Sequence, residues 1–554
     1  MFQTRCWVTA AASLLSIGRS GVSAPATLNV PGDFATIQAC IDAAVSGVDE
    51  CVVAPGTYHE TINFLGKAIA LRSSGGADVT TIDATGIGGS VVTCATGEGP
   101  DTVLDGFTIT GGTGIESPFF ARLGGGMYNG HTSPTVNNCT FSRNTAIGSE
   151  GGYGGGMFNN SASPTVTNCA FIKNASQRGG GMSNYDGSGA TVTNCIFSGN
   201  TGYEGGGMSN TVSSPTVTKC TFTGNTATYH GAGMDNYGGS PTVTNCAFSG
   251  NTADYGAGGG MYNHGGSPTV TNCTFSGNTA RYDGGGMYNE HNSSPTVTGC
   301  TFSVNTGRFF GGGMANYFVS NPTVTNCTFS GNKALAGGGM SNDSNSSPMV
   351  TNCTFSANAA RYDGGGMYND YYSSPTVTNC ILWGNLPDEI FGRSTTVSFS
   401  DVQGGLPVGA VDGGGNVDLD PVFVRPPDPG PDGTWDGVDD DYGDVRLQAG
   451  SPCVNAGDPG FVAQPAETDL EGHARVLCGR VDMGAYEFGI GDYDCDQVVD
   501  LTDFSSWPAC MTAPVVQSAI DNRQLAIGCT PFDFDGDGDV DLLDFGGFQR
   551  IVGP

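Results

Sequence analysis

Apolar residues in this chain form neither helical stripes nor long runs. They fall in short in-phase pairs that return at a fixed interval, as in Cys-Thr-Phe, where Cys and Phe face one way and Thr the other. Val stands three residues before Cys, out of phase with it, so the intervening Asn marks a corner where the chain turns. Asn tolerates the left-handed backbone that such a corner needs. The segments are rich in Val, Thr and Phe and are punctuated by Gly, Asn and Ser-Pro, which predicts short strands. Three consecutive glycines followed by a proline exclude a helix in the same stretch.

The pattern belongs to a unit of about 26 residues that recurs ten times between Gly124 and Asn385. Its fullest copy reads Gly-Gly-Gly-Met-Tyr-Asn, a polar spacer, then Ser-Pro-Thr-Val-Thr-Asn-Cys-Thr-Phe-Ser-Gly-Asn-Thr-Ala. The methionines stand at Met127, Met157, Met182, Met208, Met234, Met261, Met287, Met314, Met340 and Met367, spaced by 25 to 27 residues after a first interval of 30. A period this regular predicts a solenoid. Three short strands joined by corners in each circuit predict one rung of a parallel β-helix, so the fold class is all-β.

Rungs stack at about 4.8 Å, so ten make a rod roughly 50 Å long. Stacking turns sequence columns into ladders. One is Phe141, Phe171, Phe197, Phe222, Phe248, Phe275, Phe302, Phe329 and Phe355, closed by Leu382. Ten cysteines, from Cys139 to Cys380, form a second ladder and are expected to be buried thiols acting as small apolar groups. A third column, opening at Asn144 and closing at Asn385, places an amide three residues after each Phe, where it can bond to the next rung.

The expected organisation has five parts. Residues 1–24 read as a secretory signal, with Arg5, an apolar core over 7–17 and Val22-Ser23-Ala24 before the cleavage point. That core is too short to span a bilayer, and no other segment qualifies. Residues 25–112 supply an N-terminal cap and the first rungs, with a short amphipathic helix over 36–44 plugging the end. Residues 113–400 carry the repeats, residues 401–490 the closing rungs and a cap, and residues 491–554 a separate tail.

Composition narrows the partners. The formal charge is −32 with 20 Lys plus Arg, which excludes nucleic acid and an anionic membrane surface as electrostatic partners. Of the 19 cysteines, those outside the ladder suggest Cys40–Cys51, Cys453–Cys478 and Cys510–Cys529 as bridges, with connectivity left open.

The rungs resemble the right-handed parallel β-helix superfamily that includes pectate lyases and polygalacturonases. The Gly-Gly-Gly-Met and Phe-x-x-Asn unit is also similar to the repeats of chlamydial polymorphic outer-membrane proteins. The resemblance covers residues 25–400 and implies an extracellular or cell-surface protein. It also implies a polysaccharide lyase or glycoside hydrolase as the alternative to a structural, adhesive or carbohydrate-binding role. The pectic enzymes carry basic residues or clustered aspartates on one strand, and these repeats are nearly bare of both. Carboxylates stand after Met-x-Asn at Glu290, Asp343 and Asp370, a column that is varied enough to read as solvated loop charge. No Ser/His/Asp or Cys/His grouping stands out among six histidines, so the balance leans away from an enzyme. The position between Met and Asn carries Tyr128, Phe158, Tyr262, Tyr288 and Tyr368. Rings there could stack on sugar faces, and Tyr262, Tyr288 and Tyr368 are the candidate carbohydrate contacts.

The tail carries the sharpest chemical signal. Residues 491–554 hold twelve Asp, no Glu, no Lys and two Arg. Asp492, Asp494, Asp496, Asp500 and Asp503 occupy positions 1, 3, 5, 9 and 12 of one loop, and Asp533, Asp535, Asp537, Asp541 and Asp544 do the same in a second. Val498 and Asp539 would add backbone carbonyls at position 7. Alternating hard oxygen donors around a tight turn suit Ca²⁺. Gly538 fills the turn in the second loop; Gln497 replaces glycine in the first, which predicts a weaker site. The tail resembles the dockerin type I module, which implies a cohesin-like or envelope receptor. Leu501-Thr502 and Leu542-Leu543 depart from the recognition residues of that family.

Overall fold

The computed structural model describes residues 25–118, 121–370, 372–435, 439–464, 467–489, 492 and 495–497. Parallel strands wind as a right-handed solenoid into three long sheets of 16, 13 and 14 strands. Each repeat contributes Met-x-Asn to one sheet (the Met sheet), Thr-Val-Thr to the next and Thr-Phe-Ser to the third. A fourth, nine-stranded strip is made by the short Thr-Ala segments, one side more than the three strands expected. Register is strict along the rod: Met261 pairs with Met287, Val270 with Val297 and Phe275 with Phe302.

The corners explain this regularity. At the position before each ladder Cys, eight Asn residues adopt φ between 52° and 55°. Lys219 and Gly299 take the same conformation in the remaining two rungs, at 55° and 62°. The backbone therefore turns identically whichever residue stands there.

Inside, the Phe rings are fully buried and stacked face to face, with centroids 4.5–4.9 Å apart and planes within 4°. The ladder cysteines are buried and unbridged; each backbone N–H up to Cys353 donates to the Sγ of the next rung's cysteine, as from Cys246 to Cys273 at 3.4 Å, and the last, at Cys380, donates to Ser400 Oγ at 3.0 Å. The Asn column after Phe behaves as expected. Asn278 Nδ2 donates to Asn305 Oδ1 at 3.0 Å and to the Phe248 carbonyl at 2.9 Å. A second amide ladder, missed in the sequence reading, runs through the Asn of Met-x-Asn, with Asn263 donating to Asn289 and Asn289 to Asn316, both at 2.8 Å. Buried amides are tolerated because each finds its partner in the neighbouring copy of itself.

The ladder after Phe ends on Glu389, whose two carboxylate oxygens accept from the N–H and side chain of Asn385. Burial pushes Glu389 up to about 8, and Asp482, in the C-terminal segment, up to about 7. In both, the folded chain binds a proton that the unfolded chain releases at lower pH. Their stabilisation is therefore complete below the ordinary carboxylate range and is lost as pH rises through 7 to 8. With Ca²⁺ held constant, the melting temperature should fall between about pH 5 and about pH 9, by an amount worth a few kcal/mol. Glu389→Gln should flatten part of that slope in thermal melts, and an unchanged slope would contradict the assignment.

At the N-terminal end, the helix Ile37–Ala43 is capped by Thr36, whose side chain accepts from the Ala39 N–H, and it buries Ile37, Cys40 and Ile41. The Cys40–Cys51 disulfide ties it to the first strands. At the other end, residues 421–489 reach back along the flank of the last rungs as well as following them. Gly484 N–H donates to the Asn379 carbonyl, Ala485 N–H to Thr354 Oγ1, and Trp435 Nε1 to the Gly384 carbonyl. Phe423, Leu447, Cys453 and Met483 cover the outward side of Ile381. Cys478 bridges to Cys495, and Cys453 is a free buried thiol, so the expected Cys453–Cys478 pair does not form. Cys510 and Cys529 lie outside the described residues. Among the described residues, no helix is long and apolar enough to cross a membrane.

Candidate functional site

Side chains between Met and Asn do leave the interior, as alternation requires, but the chain then covers many of them. The segment entering each Gly-Gly-Gly folds over this column. Gly284, at φ +63°, lies so close that a Cβ would sit 2.7 Å from the Cβ of Tyr288. Tyr262 and Tyr288 are consequently only 5% and 7% exposed. Of the three tyrosines singled out by sequence, Tyr368 alone is half-buried and borders an open cleft.

Aromatic side chains nevertheless line this side of the rod in three groups. Tyr153, Phe158 and Tyr185 line a cleft of about 710 Å³ near the N-terminal rungs, with the Arg178 guanidinium 5.7 Å over the Tyr153 ring. His230, Tyr262 and Tyr288 form a stack in the middle, with centroids 4.4 and 5.7 Å apart. Toward the C-terminal rungs, Tyr368 and Phe391 stack at 5.4 Å with planes 3° apart. These two rings and Tyr372, Asp370, Asp388 and Arg393 line a cleft of about 430 Å³. Phe391 and Arg393 lie after the last repeat and Tyr372 in its variable spacer, so no periodic signal singles them out.

The carboxylates divide by partner. Glu290 accepts from the hydroxyls of Tyr262 and Tyr288 and lies 3.4 Å from His291 Nδ1. Asp343 and Asp370 occupy equivalent positions on adjacent rungs. Burial raises Asp343, and the neighbouring Asp370 carboxylate raises it further. Asp370 is also desolvated, yet hydrogen bonds from Asp343, Ser373 and the Tyr372 N–H hold it below the ordinary range. The two neighbouring carboxylates are therefore pushed in opposite directions. A glycosidase pair must instead face the scissile bond from two sides, and Asp370 is further occupied by Tyr372 N–H at 3.1 Å and Ser373 Oγ at 2.9 Å. Of the two, Asp370 lines the cleft, where a carboxylate can accept hydrogen bonds from hydroxyl groups. Asp388, beside it, is raised by burial while accepting from the Gly364 N–H.

Four positions of the first acidic loop are described, Asp492, Cys495, Asp496 and Gln497. Asp492, 1% exposed, accepts at Oδ1 from the Asp496 N–H (3.1 Å) and at Oδ2 from the Gln497 N–H (2.9 Å). Gln497 takes the left-handed turn that position 6 demands, with φ 70°. Asp494, Val498, Asp500, Asp503, Asp533, Asp535, Asp537, Asp539, Asp541 and Asp544 lie outside the described residues.

A family description, the right-handed β-helix region, matches residues 67–248 and 207–347, just over half of the chain. The chain belongs to the right-handed β-helix family. Among solved structures, this β-helix is similar to pectate lyase Pel9A, at 14% identity over 84% of this chain and 97% of that one, with a TM-score of 0.31. It is also similar to the catalytic unit of a thermostable α-1,3-glucanase from Streptomyces thermodiastaticus, at 14% identity over 69% and 66% of the two chains, with a TM-score of 0.30. Likeness at that level bears on neither substrate nor chemistry. No curated protein matches the sequence.

Proposed function

We propose that this β-helix is an extracellular carbohydrate-binding rod, carried on a tail ordered by Ca²⁺. The observation that carries the reading is the open cleft in which the stacked pair Tyr368 and Phe391 stands beside Asp370, Asp388 and Arg393. Flat apolar rings next to carboxylates and a guanidinium match a sugar, which has apolar C–H faces and hydroxyl edges. The cleft lined by Tyr153, Phe158 and Tyr185 extends the same chemistry toward a polymer. The geometry at Asp492 and Gln497 supports the Ca²⁺ reading of the tail, and an envelope or cohesin-like receptor is its proposed attachment.

A second reading, a polysaccharide lyase or hydrolase, draws on the opposed protonation tendencies of Asp343 and Asp370. One experiment addresses both. The full chain, with Ca²⁺, is incubated with a panel of acidic and neutral polysaccharides, and both retention and released reducing or unsaturated ends are measured. Retention on at least one polymer without released ends is expected. Turnover that disappears in Asp343→Asn would establish the second reading, and neither retention nor turnover would overturn both.

A further inference from the structure

Three of the six histidines in the chain fall on consecutive rungs, at His230, His264 and His291. We propose that His264, Glu290 and His291 form a binding site for a divalent cation of the Zn²⁺ class on the outer edge of the Met sheet, separate from the acidic tail. One ligand atom from each of the three lies within 4.8 Å of the others. No other such group of three or more His, Cys, Asp or Glu residues occurs among the described residues.

The fold brings these residues together for definite reasons. His264 ends the strand Met261–His264 and is in parallel register with Glu290, which ends the strand Met287–Glu290. The two side chains therefore leave the sheet on the same side, one rung apart. His291 follows Glu290 directly and would face the opposite way in an extended chain. Its φ of 56° breaks that alternation. The same left-handed corner recurs at His131, Ser161, Val212 and Phe318, so it belongs to the rung, and in this rung it carries an imidazole.

The surroundings hold the three groups in place. The His264 ring lies between Tyr237 and His291, with centroids 4.5 Å away on either side. His291 packs in turn on Phe318 at 5.0 Å. The hydroxyls of Tyr262 and Tyr288 both donate to Glu290, an arrangement that fixes the orientation of a carboxylate ligand. This gives the two buried tyrosines a role that sugar stacking does not. His230 supports Tyr262 from below, stacked on it at 4.4 Å while its Nδ1 accepts the Ala257 N–H at 3.4 Å.

Two imidazoles and a carboxylate suit Zn²⁺, which takes nitrogen at about 2.0–2.1 Å and oxygen at about 2.0–2.2 Å. Tetrahedral ligands at those lengths stand roughly 3.4 Å apart, the separation already found between His291 Nδ1 and Glu290 Oε2. His264 brings a ring nitrogen within 4.8 Å of both residues, on the third side. Three protein ligands leave a fourth position for water or an oxygen of a bound molecule.

The test uses the full chain saturated with Ca²⁺, so that the tail is filled, and a calorimetric titration with Zn²⁺. Wild type should bind one Zn²⁺ that is lost in His264→Ala and in Glu290→Gln. His291→Ala lies on a half-exposed corner and provides the same test should His264→Ala fail to fold. Tyr262→Phe should weaken binding by about 10–100-fold without abolishing it, as loss of an orienting partner does. Co²⁺ should give visible bands of a nitrogen- and oxygen-ligated ion. Equal Zn²⁺ binding in wild type and His291→Ala, no Zn²⁺ binding at all, or a thiolate charge-transfer band from the ladder cysteines would each overturn the site.

Discussion

Phe275→Ala is expected to cost about 3–5 kcal/mol of stability, read as a shift in the denaturant unfolding midpoint. The ring is fully buried. It is stacked between Phe248 and Phe302 at 4.8 Å on both sides. Its surroundings cannot close the gap, because the backbone of each rung is pinned above and below by strand pairing and by the amide ladder. The Phe275 carbonyl itself accepts from Asn305 Nδ2 at 2.9 Å. Lost burial and residual cavity therefore add. Phe141→Ala should cost less, since that ring stacks on only one other, Phe171, and its outer neighbour in register is Ile109. In a solenoid, stability is close to a sum over rungs and their interfaces, so mid-ladder damage breaks more than damage near an end. A loss below about 1 kcal/mol at Phe275 would contradict the stacked core.

The tail is expected to lose its structure without Ca²⁺. Twelve carboxylates against two Arg repel one another until a cation gathers them. Asp533→Ala or Asp544→Ala should abolish the second site and leave the rod intact, because the core of the rod lies elsewhere. Asp492 does two jobs in the first loop, as proposed ligand and as acceptor for the N–H groups of Asp496 and Gln497. Asp492→Ala should therefore remove the turn together with the site. A left-handed Gln costs roughly 1–2 kcal/mol relative to Gly, so Gln497→Gly should tighten the first site. Calorimetry on the full chain would count the ions. Two Ca²⁺ are expected, one would mean a degenerate first loop, and none would remove the proposal.

Sequence and structure agree where the physics is local to one rung. The corner Asn, the inward Phe and the amide after it follow from alternation and from the few residues that accept a left-handed backbone. The second amide ladder was within reach by the same logic, since Met and Asn of Met-x-Asn share a phase, but a polar side chain reads as outward until a neighbouring copy is seen to satisfy it. What escaped depends on how one segment lies on another. Alternation places Tyr262 and Tyr288 outside the rod without saying that the glycine-led segment entering the same rung lies against them. The Cys478–Cys495 bridge depends on how the chain after Gly484 runs along the flank, and spacing alone favoured Cys453. The cleft at Tyr368 is built largely by Phe391, Arg393 and Val408, which lie after the repeats and carry no periodic signal.

The proposed function rests on the cleft around Tyr368 and Phe391. Isothermal titration of the full chain with an oligosaccharide from the polymer retained best, comparing wild type with Tyr368→Ala and Phe391→Ala, tests it most directly. Stacking on an aromatic ring contributes about 1 kcal/mol or more, so each variant should bind at least about 5-fold more weakly while melting within a few degrees of wild type. Equal affinity in wild type and both variants would place sugar recognition elsewhere and contradict the assignment.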